Sequence, residues 1–524
     1  MVKYLDNNKN SGFGQWCAAN APQKKKSWFT SFLWWTAIFV ACWWLIGMFM
    51  RPAVQDNAPT DTAPTVDVSN VPITRVDTDK IAFDVQGTRI SGVELLDYKA
   101  GGDKNSDAPV VLMPRDAGAF AEVGLLSQNT TAPAADTVWR TTDSVMTWRN
   151  PAGVEFERTI TTDGYVITIN DTVKNNTAAQ IAVTPYARIM RSDKDTAAAG
   201  VYTGAVAFAN NDIEHDSWRA LGKRSYAYTT TNGFVGFADQ YWETFVAIDH
   251  PDQTMRAKKS GDMFAADTAA GAVAIAPGAS QTIVSRIFAG PRDQSILNDA
   301  ARMIPGVNKT VDYGWFWFLA RPMLWVLNAI NAVVMNYGIA IILMTILLRL
   351  LMWPLTRKSY TSMAAMQKMQ PEMARIQKLY ANDKARMQIE MMRLYQTHKT
   401  SPMSGCLPML LQIPIFFALY KALLISVPMR GAHFLWIRDL AAMDPYFILP
   451  ILMGATMWFQ SRLQTPKTSG NTNDAIAQTQ RMMKWMPVLF TILFAWMPAG
   501  LVLYWTVSNL FGIVQMYIIK HRSK

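Results

Sequence analysis

The chain has 524 residues, half of them hydrophobic, and carries 50 Lys and Arg against 39 Asp and Glu for a formal net charge of +11. The charge is unevenly placed: residues 51–310 hold 24 basic and 31 acidic side chains, and the rest of the chain holds 26 and 8. Basicity that sits with the apolar part of the chain excludes a nucleic-acid-binding reading from net charge alone, and the length exceeds one ordinary domain.

In chain order, residues 1–27 form a hydrophilic tail that ends near Lys24-Lys25-Lys26. Residues 28–50 are uncharged, and the run is long enough to span a bilayer. A secretory signal has a shorter apolar core and a small-residue cleavage site, so this segment is predicted to be an uncleaved transmembrane signal anchor. The three lysines hold its start in the cytoplasm, which exports the block after it. Residues 51–66, with Pro52, Pro59 and Pro64, read as a linker.

Residues 67–310 consist of short β-rich runs such as Tyr165-Val-Ile-Thr-Ile and Thr282-Ile-Val-Ser-Arg-Ile-Phe, divided by Gly, Asn and Asp. This pattern predicts a large all-β sandwich. None of the three cysteines, Cys17, Cys42 and Cys406, falls in it, so no disulfide supports it. Its only histidines, His215 and His250, have no metal-ligand spacing and read as structural.

The aromatic stretch 311–335 is predicted to be an interfacial amphipathic helix. Residues 336–519 then supply spans at about 337–355, 407–427, 445–460, 483–498 and 500–519, with Met497-Pro498-Ala499-Gly500 breaking the last two. With 28–50 this makes an α-helical polytopic membrane protein of six spans. Each cytoplasmic segment so defined, including the basic tail 520–524, is net positive. The fourth and fifth spans offer about 16 residues each, roughly 24 Å of helix against a ~30 Å hydrocarbon core, so the bilayer thins or polar groups enter it.

Between the second and third spans, residues 359–398 form a helical hairpin. Met363, Met366, Met369 and Met373 stripe its first arm, and Met387 and Met391 its second, with Asn382-Asp383 at the turn. Pro371 sits near the first turn of the first arm or kinks it, and Arg386 with Glu390 is an i,i+4 pair. The methionine stripes pack on each other or present a pliable surface to apolar clients and partners. The basic faces suit anionic lipids.

Arg349 lies in the otherwise apolar run Gly338–Pro354. A cation there costs about 2.5–3.5 kcal/mol even on the lenient insertion scale. Thr345 shares its helix face at i−4, and Gln412 and Asn509 are further polar residues at depth; Lys421 is expected to snorkel at the outer end of its span. No Asp or Glu falls in a predicted span, which disfavours ion-coupled carriers. No phosphate-cradling glycine loop or His-Glu-x-x-His occurs. The chain therefore reads as no enzyme, with no metal, cofactor or small-molecule substrate. A wet groove with one buried cation attracts the acidic, hydrophilic end of a nascent membrane protein while the client's apolar segment slides into lipid. A small-solute or lipid transporter is the alternative.

The motifs Thr345-Ile-Leu-Leu-Arg349-Leu-Leu-Met-Trp-Pro354, Gly405-Cys-Leu-Pro-Met-Leu-Leu-Gln-Ile-Pro-Ile-Phe, Trp436-Ile-Arg-Asp-Leu and Pro498-Ala-Gly-Leu-Val-Leu-Tyr-Trp-Thr-Val-Ser-Asn509 resemble the YidC/Oxa/Alb family of membrane protein insertases. The anchor and exported block resemble its Gram-negative form. The resemblance implies a five-helix insertase core with a groove open to cytoplasm and lipid, a periplasmic all-β supersandwich, and residence in the bacterial inner membrane. It also implies insertion and folding of nascent membrane proteins, alone or with the Sec translocon. The family's groove arginine falls on Arg349 and a client-contact threonine on Thr345. Tyr504 and Trp505 stand where the family often has two tyrosines. The short tail Lys520-His-Arg-Ser-Lys implies only a weak ribosome contact.

Overall fold

The computed structural model describes residues 66–102, 108–142, 144–192, 201–398, 407–464 and 485–522. The expected anchor at 28–50 and nearly all of the linker lie outside these residues.

Alternation of apolar and polar side chains builds the β-rich block. In β9 (Val166–Lys174), Ile167, Ile169 and Val173 are buried while Thr168, Asn170 and Thr172 are half-buried, the period of two that a strand with one core face requires. Among the described residues nineteen strands, β1 (Thr74–Asp77) to β19 (Ser280–Pro291), form two antiparallel sheets. One runs β1-β2-β3-β5-β10-β17-β16-β13, with β4 on β3 and β18 on β10; the other runs β12-β11-β14-β15-β19-β9-β8-β7-β6. Phe83, Phe156, Phe234, Phe245, Phe264 and Phe288 fill the core of this β-sandwich. At the β2–β3 turn Gly87 has φ +62°, and a side chain there would strike the Ala135 carbonyl oxygen, so glycine is required twice over.

Buried charges of the sandwich are paired, as two carboxylates illustrate. Arg158 grips Asp171 with two bonds of 2.7 and 2.8 Å and donates to the Val123 carbonyl. Asp216 accepts from the Tyr228 hydroxyl at 2.6 Å, yet burial outweighs that bond and pushes its carboxyl up to about 6. The folded chain therefore keeps a proton that the unfolded chain sheds near its ordinary 3.8. This contribution to stability is complete below that value and is lost as pH rises through about 6. Asp216→Asn is expected to flatten the fall in stability across that window, as read by denaturant midpoints at a series of pH values. An unchanged slope contradicts the assignment.

Two short helices, α1 (Trp218–Leu221) and α2 (Gln294–Ala300), precede the helical part. Fully buried Glu243 and Arg292 pair at 2.9 Å where the β-sandwich ends. Thr310 donates its hydroxyl to Glu243, and its carbonyl accepts from Arg292 at 2.6 Å, which ties the outgoing chain to β15 (Trp242–Ile248).

The remaining helices are α3 (Trp317–Val334), α4 (Tyr337–Leu351), α5 (Trp353–Lys368), α6 (Gln370–Leu379), α7 (Lys384–Thr397), α8 (Leu407–Ile425), α9 (Ile448–Gln464), α10 (Trp485–Phe494) and α11 (Ala499–Arg522). The Asn336 side chain caps α4. The expected span 337–355 stops early: α4 ends at Leu351, and the chain bends by 62° into α5. Pro354 lies in the first turn of α5, where its missing N–H costs nothing, and it disfavours carrying α4 through that point. Pro371 likewise opens α6, so the first hairpin arm is two helices meeting near Met369. Asp383 caps α7 by accepting from the Arg386 amide at 3.0 Å. The expected Arg386–Glu390 pair is not formed. Glu390 bonds Arg393 at 3.0 Å, and Arg386 lies over the Tyr380 ring.

The span expected at 445–460 is shifted, because α9 starts only at Ile448 after Phe447 takes φ +55°. By length and apolarity, α3 and residues Ala499–Ile519 are each able to cross a membrane. The bent pair Tyr337–Leu351 and Trp353–Ser362 makes a third if it counts as one span, while Leu411–Ile425 and α10 are shorter apolar helices. The described residues thus do not fix the count of six, and α3, expected in the interface, is itself long enough to span. Helix α11 packs on α4 and α9, and α3 on α4 and α8.

The C-terminal end of α8 and the residues after it meet the β-sandwich. Gln240 donates to the Leu424 carbonyl at 3.1 Å, and Arg430 donates to the Lys99 carbonyl at 3.0 Å while lying over Trp242. Lys421, expected to snorkel, instead pairs with Asp312 at 2.8 Å. A carboxylate three residues before Trp315, on the segment that leads into α3, gives it a nearer partner than water.

Candidate functional groove

Helical spacing sets the site. Steps of four and seven along α11 place Tyr504, Ser508 and Gln515 on one stripe. Arg349 of α4 donates from Nε to the Ser508 hydroxyl at 2.8 Å, and from Nη2 to the same oxygen. Gln412 of α8 donates to the Tyr504 hydroxyl at 2.6 Å. Gln412–Tyr504 and Ser508–Arg349, one turn apart on α11, therefore make a polar chain that links three apolar helices. Arg349 is half-buried, and no carboxylate pairs with it among the described residues. Further along α11, fully buried Gln515 donates to Thr356 of α5 at 2.6 Å, and its own side-chain oxygen has no partner.

Of the expected groove residues, the structure gathers Arg349, Gln412 and Tyr504 along this stripe, and the partner of Arg349 is Ser508, which the sequence pattern did not single out. The signal was its i+4 spacing from Tyr504; a small hydroxyl in an apolar helix looks like filler. Three others are placed elsewhere. Thr345 is fully buried, and its hydroxyl donates to the Ile341 carbonyl of its own helix at 2.6 Å, so it presents no group to a client in this arrangement. Asn509 faces α9, donating to Thr456 at 3.2 Å. Trp505 sits among Phe416, Phe490 and Phe494, with ring centroids 5.1–6.0 Å away; one residue past Tyr504 is a 100° turn away from the polar stripe. Among the described residues no group of three His, Cys, Asp or Glu is placed to hold a metal.

The family model described as 60Kd inner membrane protein matches residues 329–524, and that of the YidC periplasmic domain matches residues 73–326. The membrane protein insertase YidC of Magnetococcus marinus is 36% identical over 469 residues, covering 84% of this chain and 82% of that protein. The YidC of Beijerinckia indica is 34% identical over 515 residues, covering 86% and 83%. The chain belongs to the YidC membrane protein insertase family.

The β-sandwich of this YidC-family chain is thus the family's periplasmic-domain module, and the helical part carrying Arg349 its inner-membrane module. In the hairpin, α6 and α7 pack on each other. Met369 is buried, Met373, Met387 and Met391 are half-buried, and the side chains of Met363 and Met366 lie outside the described residues. The large apolar side chains open to solvent are instead Leu379, Ile389 and Met392. The expected methionines on α7 are half-buried, and the neighbouring Ile389 and Met392 are left uncovered.

Proposed function

We propose that the chain inserts and helps fold nascent inner-membrane proteins through a hydrated groove between α4, α8 and α11, open to the cytoplasm and to lipid. Arg349 attracts the acidic, hydrophilic end of a client partway across, and burial of the client's apolar segment in lipid supplies the free energy. The observation that carries this reading is a half-buried guanidinium held by a hydroxyl and without a carboxylate partner among the described residues. A charge kept only for structure would be paired; this one is left to attract an anion. The N-terminus lies in the cytoplasm and the β-sandwich in the periplasm, with α3 along the interface. The Sec translocon joins the work on large clients. The hairpin's Leu379, Ile389 and Met392 meet clients or partners, its basic faces meet anionic lipid, and the short basic tail gives the ribosome little to hold.

Photocrosslinkers at Gln412 and Tyr504 are expected to capture a ribosome-stalled client far better than one at Val514, which is exposed on α11 away from the polar chain. Equal capture at all three contradicts a groove. Deleting residues 70–300 is expected to leave insertion largely intact, measured with a small client in vivo, since the polar chain lies wholly in the helices. Loss of insertion at normal abundance would give the exported domain the leading role instead.

A further inference from the structure

We infer that Ser508 is a positioning residue for the groove cation; this rests on the client-attraction reading above. The Ser508 oxygen accepts from both Nε and Nη2 of Arg349, one edge of the guanidinium fork. A hydroxyl has two acceptor positions and one proton. With both acceptor positions filled by N–H groups, the Ser508 oxygen is saturated as an acceptor and holds one edge of the fork. Tyr504 accepts from Gln412, because an amide nitrogen is only a donor, and keeps its own hydroxyl proton. The two Nη1 hydrogens and the second Nη2 hydrogen of Arg349 are not used by Ser508, and donors of this kind are what a client carboxylate needs.

Ser508 also opposes the arginine's own tendency. A long half-buried side chain with one neutral anchor extends toward the nearest water when the anchor is removed, and the charge then leaves the depth at which it attracts a tail. Two charge-assisted bonds to one oxygen resist this.

The test compares Ser508→Ala, Ser508→Thr, Arg349→Ala and the Ser508→Ala/Arg349→Ala double variant in full-length protein. The readout is insertion of one small client bearing either an acidic or an uncharged N-terminal tail, at matched abundance. Ser508→Ala is expected to slow the acidic-tail client by about three- to tenfold and to leave the uncharged-tail client unchanged. Ser508→Thr, which keeps the hydroxyl, is expected to restore the rate, and the double variant to match Arg349→Ala. If Arg349→Ala is slow but Ser508→Ala is normal, or if Ser508→Ala slows insertion further without the arginine, or slows both clients alike, the positioning role is overturned while the groove reading stands. If Arg349→Ala is itself normal for the acidic tail, the groove reading fails and takes this inference with it.

Discussion

Replacing Arg349 with glutamate is expected to stop insertion of a small client with an acidic N-terminal tail. Two unit charges about 4 Å apart attract by about 1 kcal/mol in water and about 4 kcal/mol at the effective dielectric of a protein surface. A half-buried guanidinium lies between these limits. Arg349→Ala removes the attraction and is expected to slow the acidic-tail client on the order of tenfold; Arg349→Glu reverses its sign and is expected to cost on the order of a hundredfold. Arg349→Lys keeps the charge and is expected to retain most of the rate. In vivo translocation of the tail, scored by protease protection with and without active Sec, is the measurement. Full insertion by both the Ala and Glu variants contradicts charge attraction.

The second large effect is on stability. Glu243 and Arg292 are each almost wholly removed from water, and Glu243 also accepts from Thr310. Glu243→Ala leaves an uncompensated guanidinium in the interior, which costs about 3–5 kcal/mol. That is a large share of the roughly 5–15 kcal/mol that holds an ordinary domain together. The expected result is a much lower denaturant midpoint for protease resistance of the β-sandwich in full-length protein. Insertion should persist, since Glu243 lies outside the groove. An unchanged midpoint would show that the pair contributes nothing net, and a matching loss of insertion would couple the sandwich to the groove.

Much of this architecture is legible in the residues. Alternation such as Ile167, Ile169 and Val173 announces a sandwich strand, and Asp383 announces the start of α7 by its short acceptor side chain. Arg349 is conspicuous because a charge in an apolar run is costly. The partners are harder to read, because they join segments far apart in sequence. Ser508 is 159 residues from Arg349 and Asp312 is 109 from Lys421, and neither separation leaves a local pattern. Period alone also does not say which neighbouring stripe of a helix is covered. Hence spacing leaves the stripe of Met387 and Met391 either packed or open, and the structure half-buries it and leaves Ile389 and Met392 uncovered. Pro354 signals the early end of α4, but Leu350, Leu351 and Met352 continue the apolar run and mask it. Thr345 shares a face with Arg349 by spacing, but its short side chain reaches only the carbonyl one turn back.

The account's central claim is that water reaches the polar chain around Arg349 from the cytoplasmic side. A single cysteine at position 412, in a chain whose Cys17, Cys42 and Cys406 are replaced by serine, reports on this directly when a membrane-impermeant thiol reagent is added from either face of sealed vesicles. The account predicts labelling from the cytoplasmic face and protection by an engaged client. No labelling from that face, with or without a client, would mean a dry, closed interior and would contradict it.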